Sequence, residues 1–324
     1  MATQVFVMIP HAAGKADDAA LELLSAARAM FPGVAPTALV LGAGAEQTTV
    51  AHEAAAAFPE VWSFSQEALA YPNAELIRPL LQKVLPAGAV VLLPHSTLGI
   101  DLGPGLSVKL GAAYLPDVVG FDGIDGSLLK VVRQEFAGQV SAHVRADVSA
   151  GAVITVRSGA FQPAEPGSVV GTMVDKSAEA AGLTARRRFV KVVQAEAGDV
   201  DITREDVLVA VGRGIGEQDN LSLVDELAEA MGATVCCSRP IVDAKWLDKG
   251  RQVGTSGATV KPKVYLALGI SGAFQHLGGL KGSPFVVAVN KNPKAPIFQA
   301  AQVGVVGDLM ELLPELTKQI QKAR

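Results

Sequence analysis

Short apolar runs recur along the chain, and helical patterns lie between them. Residues 5–9 read as a buried strand, and residues 17–30 carry the spacing of an amphipathic or buried helix. Residues 37–41, 61–64 and 90–93 are further strand candidates, separated by Ala- and Leu-rich helical stretches. This alternation predicts a parallel sheet covered by helices. Residues 118–174 break the rhythm. They are rich in Val, Gly and Thr, with period-two pieces such as Val153-Ile154-Thr155-Val156, and predict a strand-rich portion that completes a first domain.

Residues 177–197 read as a connector. It holds the basic run Arg186-Arg187-Arg188, read as a solvated face, and a strand-like piece at 189–193. A second α/β unit opens with the apolar run 207–211 and the turn Gly212-Arg213-Gly214-Ile215-Gly216. A helix at 221–231, strands at 264–268 and 285–289, and a closing helix at 309–322 follow. The 324 residues suffice for two domains of about 150 residues each. The expected division is a parallel-sheet α/β domain at 1–194 and a Rossmann-like α/β domain at 195–324.

Composition narrows the function classes. A formal charge of -4 gives no footprint for nucleic acid. The sequence holds no run of eighteen apolar residues, so membrane insertion is not expected. The N-terminus moves straight into a strand pattern without a presequence, which leads to the expectation of a bacterial cytoplasmic protein. The two cysteines, Cys236 and Cys237, are adjacent and read as buried thiols rather than a redox pair. Five histidines without HxxxH or HExxH spacing predict no metal site. Trp62 and Trp246 read as packing residues, and His11, His52, His95 and His143 show no partner in the sequence.

Candidate chemistry sits where strands end in small residues. The turn Gly42-Ala43-Gly44-Ala45-Glu46-Gln47 lacks the third glycine of a dinucleotide fingerprint and reads as a plain strand-to-helix turn. Gly212–Gly216 is also off-pattern, yet it sets Arg213 beside open backbone N–H groups at a strand's C-terminal end, the edge where open α/β sheets bind ligands. The stretch 264–276 is more telling: an apolar strand, the small-residue turn Gly269-Ile270-Ser271-Gly272-Ala273, and a helix start at Phe274-Gln275-His276. Gly269 and Gly272 permit close backbone approach by a ligand. The helix start offers N–H groups to a pyrophosphate. His276 alone would read first as a satisfied core histidine.

Taken together, Gly212-Arg213-Gly214, Ser238-Arg239-Pro240-Ile241-Val242-Asp243, Arg251-Gln252-Val253-Gly254-Thr255-Ser256-Gly257, residues 269–276, Val287-Ala288-Val289-Asn290, Ala295-Pro296-Ile297-Phe298 and Val306-Gly307-Asp308-Leu309 resemble the alpha subunit of electron-transfer flavoproteins in order and spacing. The N-terminal part resembles the family more loosely, through its α/β rhythm and residues 102–117. The resemblance implies an N-terminal domain that contacts a beta subunit and a C-terminal domain holding most of one FAD. The beta subunit would add to that pocket and carry AMP or, in bifurcating members, a second FAD.

Carried over from the family, Arg213, Ser238, Arg239, Val253, Gly254, Thr255, Ser256, Ser271, Gly272, Ala273, Phe274, Gln275, His276, Asn290, Asp308 and Leu309 form the FAD site. Arg239, Ser256 and His276 would tune the flavin: Arg239 as a permanent cation against the ring near N5, Ser256 as a hydroxyl to N5, His276 as a donor to O2, either neutral or protonated. Ser271 would face the pyrophosphate, with Asn290 and Asp308 toward the adenosine. Asp308 also suits a helix N-cap.

Ser256 stands where threonine is common in the family, Thr255 where glutamine is, Asn292 where aspartate is, and Gln302-Val303 where Asp-Tyr is frequent. These departures bear on the flavin potential and the partner, and lean toward the nitrogen-fixation-linked and bifurcating branch. The implied role is an alpha–beta heterodimer carrying electrons from flavoprotein dehydrogenases, such as acyl-CoA dehydrogenases, or ferredoxin-like donors to a quinone oxidoreductase or another acceptor. A bifurcating NADH-oxidising assembly is the first alternative. An FAD- or nucleotide-binding enzyme or regulatory module on the same fold is the second.

Overall fold

The computed structural model of the chain describes residues 3–136, 140–165, 170–191, 200–282 and 284–323. The chain divides into two compact units, Met1–Val190 and Lys191–Arg324. The boundary expected between 194 and 195 lies outside the described residues, as do 192 and 193 of the strand-like piece. Residues 189–191 are not in a strand.

In the first unit the elements run β1 (Val5–Met8), a small hairpin of β2 (His11–Ala12) and β3 (Lys15–Ala16), α1 (Ala19–Met30), β4 (Thr37–Gly42), α2 (Gly44–Ala55), β5 (Glu60–Ser65), α3 (Ala74–Val84), β6 (Val90–Pro94) and α4 (Thr97–Leu110). Strands β7 (Ala113–Asp125), β8 (Leu128–Glu135), β9 (Val140–Asp147), β10 (Ala152–Val156) and β11 (Thr172–Asp175) follow. They form one nine-stranded sheet in the order β11-β5-β4-β1-β6-β10-β7-β8-β9. Pairing is parallel from β11 to β7 and antiparallel across β7, β8 and β9. The strand-rich stretch therefore splits. Part extends one edge, β10 inserts between β6 and β7, and β11 caps the far edge beside β5.

Alternation along β1 shows how the sheet builds two cores. Val5 and Val7 join Leu23, Leu24 and Met30 on one face, while Phe6 and Met8 join Leu80, Leu81 and Leu102 on the other. Both faces are covered, so the central strands are apolar throughout. Helix α3 starts at Asn73, whose side chain accepts from Glu75 N–H at 2.9 Å. Helix α4 stops at Gly111, which has φ 64. Trp62 packs beside Phe6 at 5.0 Å between ring centroids, as a packing residue should.

A polar knot closes the C-terminal ends of β6 and β10. Asp117 N–H donates to Thr155 Oγ1 at 2.9 Å, and Thr155 Oγ1 also bonds His95 Nδ1 at 2.8 Å. Arg157 grips both carboxylate oxygens of Asp117, with Nε at 2.8 Å from Oδ1. Burial pushes the Asp117 carboxyl up, but Arg157 and His95 outweigh it and leave the group below its ordinary value.

The second unit contains β12 (Val207–Val211), α5 (Leu221–Met231), β13 (Thr234–Cys237), α6 (Arg239–Asp243), β14 (Val264–Leu268), α7 (Phe274–Leu277), β15 (Phe285–Asn290), α8 (Ile297–Ala300), β16 (Val303–Val306) and α9 (Leu309–Ala323). The strands make an all-parallel sheet in the order β13-β12-β14-β15-β16. The order turns outward in both directions from β12 and β14, which creates a switch point between them. Helices α5 and α9 pack over one face with Leu227, Leu266 and Leu313. The other face is covered by irregular segments and α8, through Val253, Val260, Ile270 and Ile297. Gln302 Oε1 accepts from Val286 N–H at 2.6 Å, so this departure from the family pattern ties the chain before β16 to β15. Among the described residues no helix is long and apolar enough to cross a membrane.

Candidate functional site

The turns that leave β12 and β14 meet at the switch point. Gly214 N–H donates to Gly269 O at 3.0 Å, and Gly212 N–H to Leu268 O at 2.8 Å. The two backbones are in close contact. A Cβ on Gly214 would lie 2.6 Å from Gly269 Cα, and one on Gly269, where φ is 63, would lie 2.7 Å from Gly214 Cα. Only glycine fits either place.

The loop that follows α6 docks against these turns through backbone bonds. Val253 N–H donates to Cys237 O at 2.9 Å, and Thr255 N–H to Gln275 O at 2.7 Å. Gln252, almost fully buried, donates from Nε2 to Ser256 Oγ at 2.9 Å. Asn290, at the end of β15, donates from Nδ2 to Ile270 O at 2.8 Å and pins the turn after β14.

Between these segments lies a cavity of about 630 Å³. Its wall includes Arg213, Ser238, Arg239, Val253, Gly254, Thr255, Ser256, Ser271, Ala273, Gln275, His276 and Asn290, all expected from the sequence. Four expected residues are elsewhere. Gly272 turns toward Ile297, Phe274 is 41% exposed beside the wall, and Leu309 is buried in the core under α9. Asp308 caps α9 by accepting from Met310 N–H at 2.9 Å, and pairs with Lys291 at 3.0 Å. The wall also contains Gly269, expected from the sequence to permit close backbone approach, and Gly214, Pro240, Gln252, Ile270, Asn292, Ala295 and Pro296, which were not among the expected site residues.

The helix start expected at 274 is a single turn, Phe274–Leu277. One turn aligns few peptide dipoles, so the anion-binding contribution expected from a helix terminus shrinks to individual N–H groups. Charge on the wall is cationic: two arginines, with no carboxylate among its residues. Arg239 opens α6 and pairs through Nε with Asp243 at 3.4 Å. Arg213 makes no ion pair among the described residues.

His276 is buried, and its Nε2 lies 2.8 Å from the hydroxyl of fully buried Tyr265. Nδ1 has no hydrogen-bond partner of good geometry among the described residues. Burial drives the ring's pKa down to about 4, against a weak opposing pull from the Val253 backbone. Cys236 and Cys237 are free, buried thiols at the end of β13, as the sequence suggested, and burial pushes Cys237 up to about 12. In the first unit the turn at 42–47 is a plain strand-to-helix join, with Gln47 packed over Gly42.

Family models match both halves of the chain. Residues 5–187 match the electron transfer flavoprotein domain, and residues 201–281 match the electron transfer flavoprotein FAD-binding domain. The electron transfer flavoprotein subunit alpha of Mycobacterium tuberculosis is 37% identical over 99% of this chain and 99% of its own. That of Methylophilus methylotrophus is 39% identical over 72% of each chain. The LctC subunit of a lactate dehydrogenase (NAD(+),ferredoxin) from Acetobacterium woodii is 31% identical over 98% of this chain and 77% of its own. A doubly wound sheet with its cavity at the switch point, inside a chain matched in both halves, belongs to the alpha-subunit family of electron transfer flavoproteins.

Proposed function

We propose that this chain holds FAD in the cavity at the β12–β14 switch point and works as the alpha subunit of a heterodimer that relays electrons between flavoprotein dehydrogenases and a quinone oxidoreductase or another acceptor. In this reading residues 195–324 form the flavin domain, and residues 1–194 contact the beta subunit. The beta subunit carries AMP or a second FAD, and the complex works in the cytoplasm. The observation that carries the reading is a cationic, carboxylate-free cavity lined by close-packed glycines, at the sheet edge where doubly wound folds bind nucleotides.

The residues present fit FAD. The volume of about 630 Å³ lies within the usual range for ligand cavities, and a partner's share would enlarge it. Arg213 supplies a cation for a pyrophosphate, and open glycine backbone lets phosphate oxygens approach N–H groups. Arg239, Ser256 and His276 line the same wall and offer donors and charge to the ring system. Bound FAD supplies the one- and two-electron chemistry. The chain's residues orient it, exclude water from one face and set its potential. Gln252 holds the Ser256 hydroxyl in place.

Purification of this chain with its beta partner tests the reading. The expected result is a yellow complex with at least one FAD per heterodimer, reduced by a flavoprotein dehydrogenase and its substrate. A colourless complex that does not take up FAD overturns it.

A second reading rests on the similarity to the LctC subunit over nearly the whole chain. It makes this chain part of a pyridine-nucleotide- and ferredoxin-linked assembly with a second FAD in beta. Two FAD per heterodimer and direct reduction by NADH select this reading. One FAD and no reaction with NADH select the first.

A further inference from the structure

His276 is the one histidine on the cavity wall, and its Nε2 is already engaged. Tyr265 sits on β14 in the sheet interior, and the Cys236 thiol of β13 adjoins its hydroxyl. Burial raises the Tyr265 phenol well above its ordinary value, so its O–H stays on. No charged group among the described residues contributes to the shift at His276; the influences on it are burial and the Val253 backbone.

Two hydrogen-bond patterns fit these three side chains. In one, the phenol O–H donates to Nε2. In the other, imidazole Nε2–H donates to the phenol oxygen, and the phenol O–H must use sulfur as acceptor. Sulfur accepts weakly, whereas an unprotonated imidazole nitrogen accepts well. The first pattern satisfies each group in its stronger role.

We propose that the Tyr265 hydroxyl donates to Nε2 of His276 and fixes the imidazole as the neutral Nδ1–H tautomer, which makes Tyr265 a positioning residue for the flavin. Nδ1 is the nitrogen without a hydrogen-bond partner of good geometry among the described residues. As an N–H it matches an acceptor such as a flavin carbonyl, and as a bare lone pair it would repel one. The positioning role rests on the flavin reading above; the tautomer does not. The expectation from sequence left the protonation of His276 open. Its answer lies eleven residues earlier in the chain, in a tyrosine that never reaches the cavity wall.

Nitrogen-15 NMR of the full chain, labelled at histidine and purified with its partner, tests both parts. The expected spectrum shows His276 with Nδ1 protonated and Nε2 bare, unchanged between about pH 6 and about pH 8, with FAD bound or stripped. Tyr265→Phe removes only the hydroxyl. It should let the Nε2–H tautomer appear and weaken FAD binding about tenfold, the scale of one neutral hydrogen bond. A purely structural tyrosine would leave the tautomer ratio unmoved. Cys236→Ala, which takes away the phenol's alternative acceptor, should keep Nδ1–H, whereas Cys236→Ser, which supplies a good one, should let Nε2–H appear; these variants serve if Tyr265→Phe does not fold. Wild-type His276 found as Nε2–H or as imidazolium at neutral pH overturns the proposal, as does an unchanged tautomer in Tyr265→Phe. A complex that shows Nδ1–H but takes up no FAD overturns the positioning role and the flavin reading while leaving the tautomer assignment standing.

Discussion

Arg239 Nε stands 3.4 Å from Asp243 Oδ2, one helical turn along α6, at the wall of the cavity. The guanidinium expected to act as a permanent cation therefore carries a counter-charge. Both side chains are about two-thirds exposed, so solvent screens much of the pair. With FAD bound, Arg239→Ala should lower the flavin potential and Asp243→Asn should raise it, each by tens of millivolts at most, on the order of a tenfold change in a one-electron equilibrium or less. Redox titration of the purified complex reads both shifts. Equal shifts in the same direction would refute the opposed roles.

His276 titrates at about 4 in the folded chain, against an ordinary value of 6.5, because burial disfavours its charged form. Between those values the unfolded chain binds a proton that the folded chain refuses. Stability therefore falls as pH drops from about 6.5 toward about 4, with a total contribution on the order of 3 kcal/mol. Urea unfolding of wild type and His276→Gln across this window should show a steeper acid loss in the wild type. Parallel pH profiles would mean that the folded chain takes up this proton as readily as the unfolded one, and would refute the lowered value.

Gln252 is the buried polar residue that holds the Ser256 hydroxyl, at 2.9 Å. Gln252→Ala should destabilise the second unit by about 1 kcal/mol and free the Ser256 rotamer. FAD affinity should fall less than it does in Ser256→Ala, which loses the same bond and the hydroxyl itself. Thermal melts and fluorescence titration with FAD check this; identical affinities for the two variants would count against it.

Arg157 and Asp117 form a partly buried bidentate pair, and Asp117 sits at φ 57. Arg157→Ala leaves a desolvated carboxylate and should cost about 2 kcal/mol near neutral pH, less than for a fully buried pair because both side chains keep some water contact. The stability from Asp117's lowered pKa is present above its ordinary 3.8 and disappears as pH falls through the folded value. The gap between wild type and variant in urea should thus narrow below about pH 4. A gap of constant size would point to lost packing rather than lost charge.

The apolar runs of β1, β6, β12 and β14 were legible because buried parallel strands need hydrophobic residues on both faces. The turns at 212–216 and 269–273 were legible because close backbone contact needs glycine. Gln252 was not expected at the site, because the loop bearing it is set by isolated backbone bonds that leave no periodic trace. Asp117 and Arg157 meet across forty residues, and His95 finds Thr155 across sixty; such pairings depend on sheet order, which a local pattern does not encode. Asp308 and Leu309 carried a family signature, yet the structure uses one as a helix cap and the other as core.

The mutual contact of Gly214 and Gly269 has a consequence for how such a site changes through descent. Each residue already has the smallest side chain available, so neither can yield room for growth at the other. No succession of single replacements leads to a furnished floor. Any change in affinity or potential by single replacement falls instead to wall positions that already carry side chains, such as Thr255, Ser256 and Asn292.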